Sequence, residues 1–291
     1  MPKTRFSAAK VLAPATGLLL FLQAALVVTG GAVRLTGSGL GCPTWPECTP
    51  GSYTPVPYQA EPQLNVWIEF ANRLLTFVLV IAAVIVIVAV LKSGRKDLRV
   101  LAIGQFLGIF AQGVLGGITV LTDLNPIPVA GHLLLSMILI AGATSLHTGR
   151  FAPAIKINAP RLTRRLSVSH VAITYLVLVL GTIVTGSGPH AGDAQAKRFN
   201  IEIRTVATLH ADVVIFLFGL TLAFYLAVGT SEVTKKKLRI FAIVALAQGA
   251  IGYLQFFTGV PALLVGIHLL GAAILWIAAW RVWLSVNIKN G

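Results

Sequence analysis

The sequence predicts an all-α membrane protein, with eight transmembrane helices forming two tandem four-helix bundles related by a pseudo-two-fold axis along the membrane normal. Three observations lead there. Hydrophobic residues make up 56% of the 291 residues and charged residues only 11%, far from the makeup of a soluble domain. Eight apolar runs are each long enough to cross ~30 Å of hydrocarbon, which takes roughly 20 helical residues. The chain also repeats itself: residues 111–139 and 247–275 share an Ala-Gln-Gly opening, a turn and a His-Leu-Leu, with Gln112 and Gln248 each 20 residues before His132 and His268.

Taken in order, the runs fall near 12–33, 67–91, 100–121, 129–148, 167–186, 205–228, 240–257 and 263–284. The first follows Lys3, Arg5 and Lys10, has no small-residue cleavage site after a short apolar core, and is expected to be retained. It ends in Thr36-Gly37-Ser38-Gly39, and the fifth ends in Thr185-Gly186-Ser187-Gly188, so the repeat includes the helix before each pair. Four crossings return each half to the same side, giving parallel repeats at 1–152 and 153–291. Gly108, Gly113, Gly116, Gly117, Gly249 and Gly252 are expected to let helices approach closely.

The formal charge of +14 raises the question of nucleic acid, and its placement answers it. Eighteen of the 23 Lys and Arg residues sit at the two termini and in the segments 92–99, 149–166 and 229–239. Alternate loops hold only Arg34, Lys197, Arg198 and Arg204. The basic residues therefore read as topology signals in a plasma membrane, with both termini cytoplasmic and no nucleic-acid partner.

The first outer loop, roughly 34–66, is broken by six prolines and holds both cysteines, Cys42 and Cys48. Facing an oxidising compartment, they are expected to form a disulfide. A structural clip worth ~2–3 kcal/mol and a redox-active or haem-handling pair both remain open.

Glu69, Asn72 and Arg73 open the second helix within about one turn. Charged groups inside a membrane cost roughly 2.5–3.5 kcal/mol each on insertion scales and are functional candidates by default. Glu69 and Arg73 stand at i and i+4, so a mutual ion pair is the bland alternative. Aligning the halves places His210 opposite Asn72, so positions 72, 132, 210 and 268 share one depth on the even-numbered helices. A lone apolar-helix histidine is usually a hydrogen-bonding group, but two on different helices of one bundle favour a metal or haem. Zinc wants about four ligands, whereas two facing imidazoles suit the axial positions of a haem. His210 and His268 are thus the expected axial pair; His147 and His170 near the cytoplasmic face, and His190 in an outer loop, read as solvated.

These residues together give the chain a resemblance to haem A synthase, the membrane enzyme that oxidises a methyl group of haem O to the formyl group of haem A for terminal oxidases. The resemblance covers eight helices in two repeats, histidines on even helices, a cysteine pair in the first outer loop and Glu-x-x-Asn-Arg where that family has Glu-x-x-His-Arg. It implies an oxidoreductase with haem b held by His210 and His268 towards the extracytoplasmic side. It also implies a haem O site of His132, Asn72 and Arg73, with Glu69 as the catalytic carboxylate. Arg73, with Arg34 or Arg204, is expected to pair with propionates. Electrons would come from an unidentified donor, and contacts with haem O synthase or oxidase assembly proteins are implied. Asn72 departs from the family pattern and is read as leaving an open coordination position. Two rivals remain from this stage: a diheme b-type cytochrome that only transfers electrons, and a haem carrier.

Overall fold

A computed structural model describes residues 3–150 and 154–290. Its eight long helices are α1 (Lys3–Leu35), α2 (Gln63–Ser93), α3 (Arg99–Leu121), α4 (Pro126–Gly149), α5 (Arg161–Ser187), α6 (Ile203–Ala227), α7 (Glu232–Phe257) and α8 (Ala262–Asn287). All eight are long and apolar enough to cross a membrane. Each covers its expected run within a few residues, apart from earlier starts at α1, α5 and α7. The extra turns carry Arg161, Arg164 and Arg165 in α5 and Lys235, Lys236 and Lys237 in α7. Large apolar side chains such as Phe21, Phe77 and Phe110 lie exposed on the outer faces of the spans, as a lipid-facing surface requires. The protein is multi-pass, and an even number of spans puts the start of α1 and the end of α8 on one side.

Helix packing follows the same scheme twice. In the first half α1 packs on α2 and α4, and α3 on α2 and α4; in the second, α5 packs on α6 and α8, and α7 on α6 and α8. The turns match as well. Leu124 and Val260 both take left-handed φ, 57° and 59°, and their amides reach back to the carbonyls of Thr119 and Gln255 at 2.9 and 2.7 Å. This is the six-to-one bond that closes a helix C-terminus. Asn125 then caps α4, its side chain accepting the Ile127 amide ahead of Pro126 in the first turn.

The halves meet along α4 and α8, with α1 and α5 alongside. Trp276 and Trp280 of α8 donate their indole N–H groups to the Met137 carbonyl (2.6 Å) and Ser145 Oγ (2.7 Å) of α4, so buried polar atoms are satisfied across the seam. At the outer end Arg34 donates to the carbonyls of Thr185 (2.6 Å) and His190, and the Gly39 amide to Gly192. A Cβ at Gly39 would fall 2.7 Å from Leu124 Cδ1 and 3.1 Å from the Gly192 carbonyl oxygen, so the backbones cross closely here. A short antiparallel pair, β1 (Ala154–Lys156) with β2 (Ile288–Asn290), ties the linker between the halves to the C-terminal segment. It is the one strand pair among the described residues, beside an isolated bridge between Thr49 and Ser52.

Candidate functional site

The polar groups cluster at the end of the bundles away from the chain termini, beginning with the cysteine loop. Cys42 and Cys48 form a disulfide, with Cα atoms 4.3 Å apart, and both are buried against Val66 and Phe70 of α2. Glu69, only 6% exposed, accepts the Cys42 amide at 2.7 Å and pairs with Arg73 at 2.7 Å. Arg73 in turn donates to the carbonyls of Cys42 (2.8 Å), Thr44 (3.1 Å) and Glu47 (3.1 Å). The ion pair is thus a clamp: one carboxylate and one guanidinium on successive turns of α2 take up the loop's backbone donors and acceptors. Trp45 completes the cover by packing on Gly117 of α3, where an added Cβ would fall 2.4 Å from the ring.

Two consequences are measurable. Freshly isolated protein alkylated without reduction should show no modified thiol by mass spectrometry; two alkylated cysteines would contradict the disulfide. Arg73→Ala should destabilise the fold by about 3 kcal/mol, the low end of the range for breaking a buried pair because Arg73 is partly exposed. The thermal unfolding midpoint in detergent checks it, and Glu69→Gln should cost less because an amide oxygen still accepts the Cys42 N–H.

Three of the histidines on the even helices share one setting. His132, His210 and His268 are six, seven and six residues into α4, α6 and α8, and Asn72 is nine into α2, which puts all four ~9–14 Å from the helix starts. Each imidazole lays its Cε1 edge against a glycine of the preceding helix: His132 on Gly116 of α3, His210 on Gly181 of α5 and His268 on Gly252 of α7. A Cβ there would stand 3.2, 3.5 and 3.5 Å from the ring. At His132 and His268 the Nδ1 atom is buried without a hydrogen-bond partner, while the His210 ring lies by the Val177 carbonyl of α5. The glutamines upstream brace the same level, Gln112 Nε2 donating to the His132 carbonyl at 2.9 Å and Gln248 Nε2 to the His268 carbonyl at 2.8 Å. His210 and His268 lie within electrostatic reach of one another. Position 72 differs: Asn72 Oδ1 accepts a hydrogen bond from Thr29 of α1 at 2.8 Å.

Several sequence expectations need correction. His170 is not solvated: it is fully buried, with its ring 5.8 Å from that of Phe224 and 4.3 Å from that of Phe241, because α5 begins at Arg161 and carries it well inside the bundle. His147 is half-buried with Nδ1 3.1 Å from Thr16 Oγ1, and His190 Nε2 is 2.8 Å from the Val260 carbonyl. Of the glycines read as packing positions, Gly116 and Gly252 make room for imidazoles, Gly117 for an indole and Gly108 for Leu139, while Gly113 and Gly249 border open space. The Arg34 and Arg73 guanidiniums, expected at propionates, donate to backbone carbonyls, and Arg73 also to Glu69. Sequence reasoning missed Thr29, whose only signal is a hydroxyl one turn inside the glycine-rich end of α1.

The fold and this arrangement define a polytopic helical membrane protein with histidines and a disulfide-clamped loop gathered at one end of its bundles. The chain belongs to the COX15-CtaA family of cytochrome oxidase assembly proteins, whose model matches residues 15–280. It is similar to the heme A synthase of Methylobacterium sp. (strain 4-46), at 32% identity over 207 residues, or 58% of this chain and 56% of that protein. The heme A synthases of Exiguobacterium sibiricum (28% over 174 residues, 58% and 57%) and Lysinibacillus sphaericus (33% over 171 residues, 55% and 53%) are similar too. The matches span just over half the length of these curated relatives.

Proposed function

We propose that this chain is a haem A synthase, oxidising the haem O methyl group to a formyl group and so supplying haem A to cytochrome oxidase. The observation that carries the reading is the recurrence, at one depth, of an imidazole resting on a glycine of the preceding helix. Nε2 of each ring, unlike Nδ1, is not among the enclosed atoms, and ligation of haem iron through it gives the shared setting a purpose. In this reading the second half, 153–291, holds haem b between His210 and His268, and the first half, 1–152, takes haem O on His132. Haem b supplies one-electron transfer when bound.

The remaining residues prepare the site. Gln112 and Gln248 fix the backbone of each histidine, and Gly116, Gly181 and Gly252 set ring orientation. Glu69 is the proposed catalytic carboxylate. It is held by Arg73 and the Cys42 amide, and in this reading its carboxyl serves the substrate edge while the Trp45 loop covers it. The cysteine pair serves as the clip of that loop. The basic-residue pattern supports cytoplasmic termini and a haem-facing extracytoplasmic side. A buried, clamped carboxylate beside a site with one imidazole favours this enzyme over a cytochrome that only relays electrons. Expression in a bacterium that makes haem O but lacks its own haem A synthase tests it: chromatography of extracted haems should show haem A, and haem O alone would refute the activity.

A further inference from the structure

The two halves differ at one pair of positions. Registering the two Thr-Gly-Ser-Gly ends puts Thr29 of α1 where α5 has Leu178, and Asn72 of α2 stands where α6 has His210. An imidazole is accompanied by an apolar neighbour, and the amide by a hydroxyl. Most threonines in these helices turn their hydroxyl back on their own turn: Thr16, Thr144, Thr174 and Thr221 donate to the carbonyl four residues earlier at 2.7–2.8 Å. Thr29 does so only weakly, at 3.3 Å to Leu26, and makes its short bond, 2.8 Å, across to Asn72 Oδ1. A hydroxyl has one proton to give. Given to Oδ1, it fixes which end of the amide is spoken for: the oxygen faces α1, and the Nδ2 hydrogens, which have no bond among the described residues, face away from it.

Helices α1 to α4 close a ring in which α2 and α4 lie diagonally, as α6 and α8 do in the other half. Asn72 therefore stands across the bundle from His132, as His210 stands across from His268. We propose that Thr29 is a positioning residue. It orients Asn72 so that position 72 offers a hydrogen-bond donor, not a metal ligand, to a small acceptor such as dioxygen or water bound opposite His132. This deepens the reading of the first half as a haem site and rests on it.

The test uses carbon monoxide as the probe on reduced, full-length protein loaded with haem O, read by infrared spectroscopy. A donor aimed at bound carbon monoxide polarises it and lowers the C–O stretching frequency. The wild type should show a lowered band that His132→Ala abolishes. Thr29→Val and Thr29→Ala should both move that band to higher frequency or split it as the amide turns over, Thr29→Ser should restore it, and Asn72→Leu should give the unbonded frequency. The His210–His268 haem spectrum in each sample reports that the variant is folded. An unchanged band in both Thr29 variants, with Asn72→Leu shifted, overturns the role of Thr29 while leaving the haem site standing. Absence of any His132-dependent carbon monoxide band in the wild type overturns the haem reading and the inference with it.

Discussion

Replacing either His210 or His268 by alanine is expected to abolish the low-spin bis-histidine haem spectrum, whereas His132→Ala is expected to leave it. Both proposed ligands lie in the second half, on α6 and α8, which pack with α5 and α7 into one bundle. Neither variant should disturb the fold greatly, because each ring lies against a glycine of the preceding helix and, among the described residues, neither makes a hydrogen bond to a side chain of another helix. The loss should instead appear as haem content. Changes to groups that merely support a metal ligand weaken such sites by ~10–100-fold, so removing a ligating imidazole itself should cost at least ~10-fold in retained haem. Absorption spectra of the purified variants decide the matter, and an intact spectrum in both would sink the assignment.

The second large effect is expected at Asn72. With His132 as the single imidazole at this depth of the first half, reduced haem there should bind carbon monoxide, and Asn72→His should abolish that binding by supplying a ring nitrogen with far greater affinity for haem iron than an amide. The substitution should be accommodated. Ala32 occupies the place of Gly181 in the register of the two halves, and a Cβ at Gly181 would meet the His210 ring at ordinary contact distance, 3.5 Å. Activity then separates two chemistries. If oxygen is activated on the substrate's own iron, Asn72→His should lose most haem A formation while still binding haem O. If electrons are withdrawn from haem O and water attacks the methyl carbon, Asn72→His should stay active and Glu69→Gln should be the damaging change. Wild-type protein whose haems are all six-coordinate and refractory to carbon monoxide would contradict this account of position 72.

The helices were legible because hydrocarbon thickness imposes a length that apolar runs either meet or do not. Their starts were less so, since the basic first turns of α5 and α7 read as loop until the structure shows them helical, and that error carried His170 to the wrong environment. The spacing of Gln112 to His132 and of Gln248 to His268 was visible as a repeat. Its meaning was not, because the acceptor is the histidine's own carbonyl, which every residue has. The same limit hid the clamp: Arg73 reaches carbonyls 26 to 31 residues away, and backbone acceptors leave no mark in a sequence. The pair Thr29 and Asn72 was hidden differently, since only packing of α1 on α2 brings a hydroxyl 43 residues distant to the amide.

The most direct measurement is extraction of the pigments from protein purified out of cells that make haem O. Haem b together with haem O and a formyl-bearing haem is the predicted outcome, the formyl species being lost in His132→Ala while haem b is kept. Haem b as the sole pigment, with no formyl-bearing haem formed on turnover, would contradict the account and leave an electron-transferring cytochrome in its place.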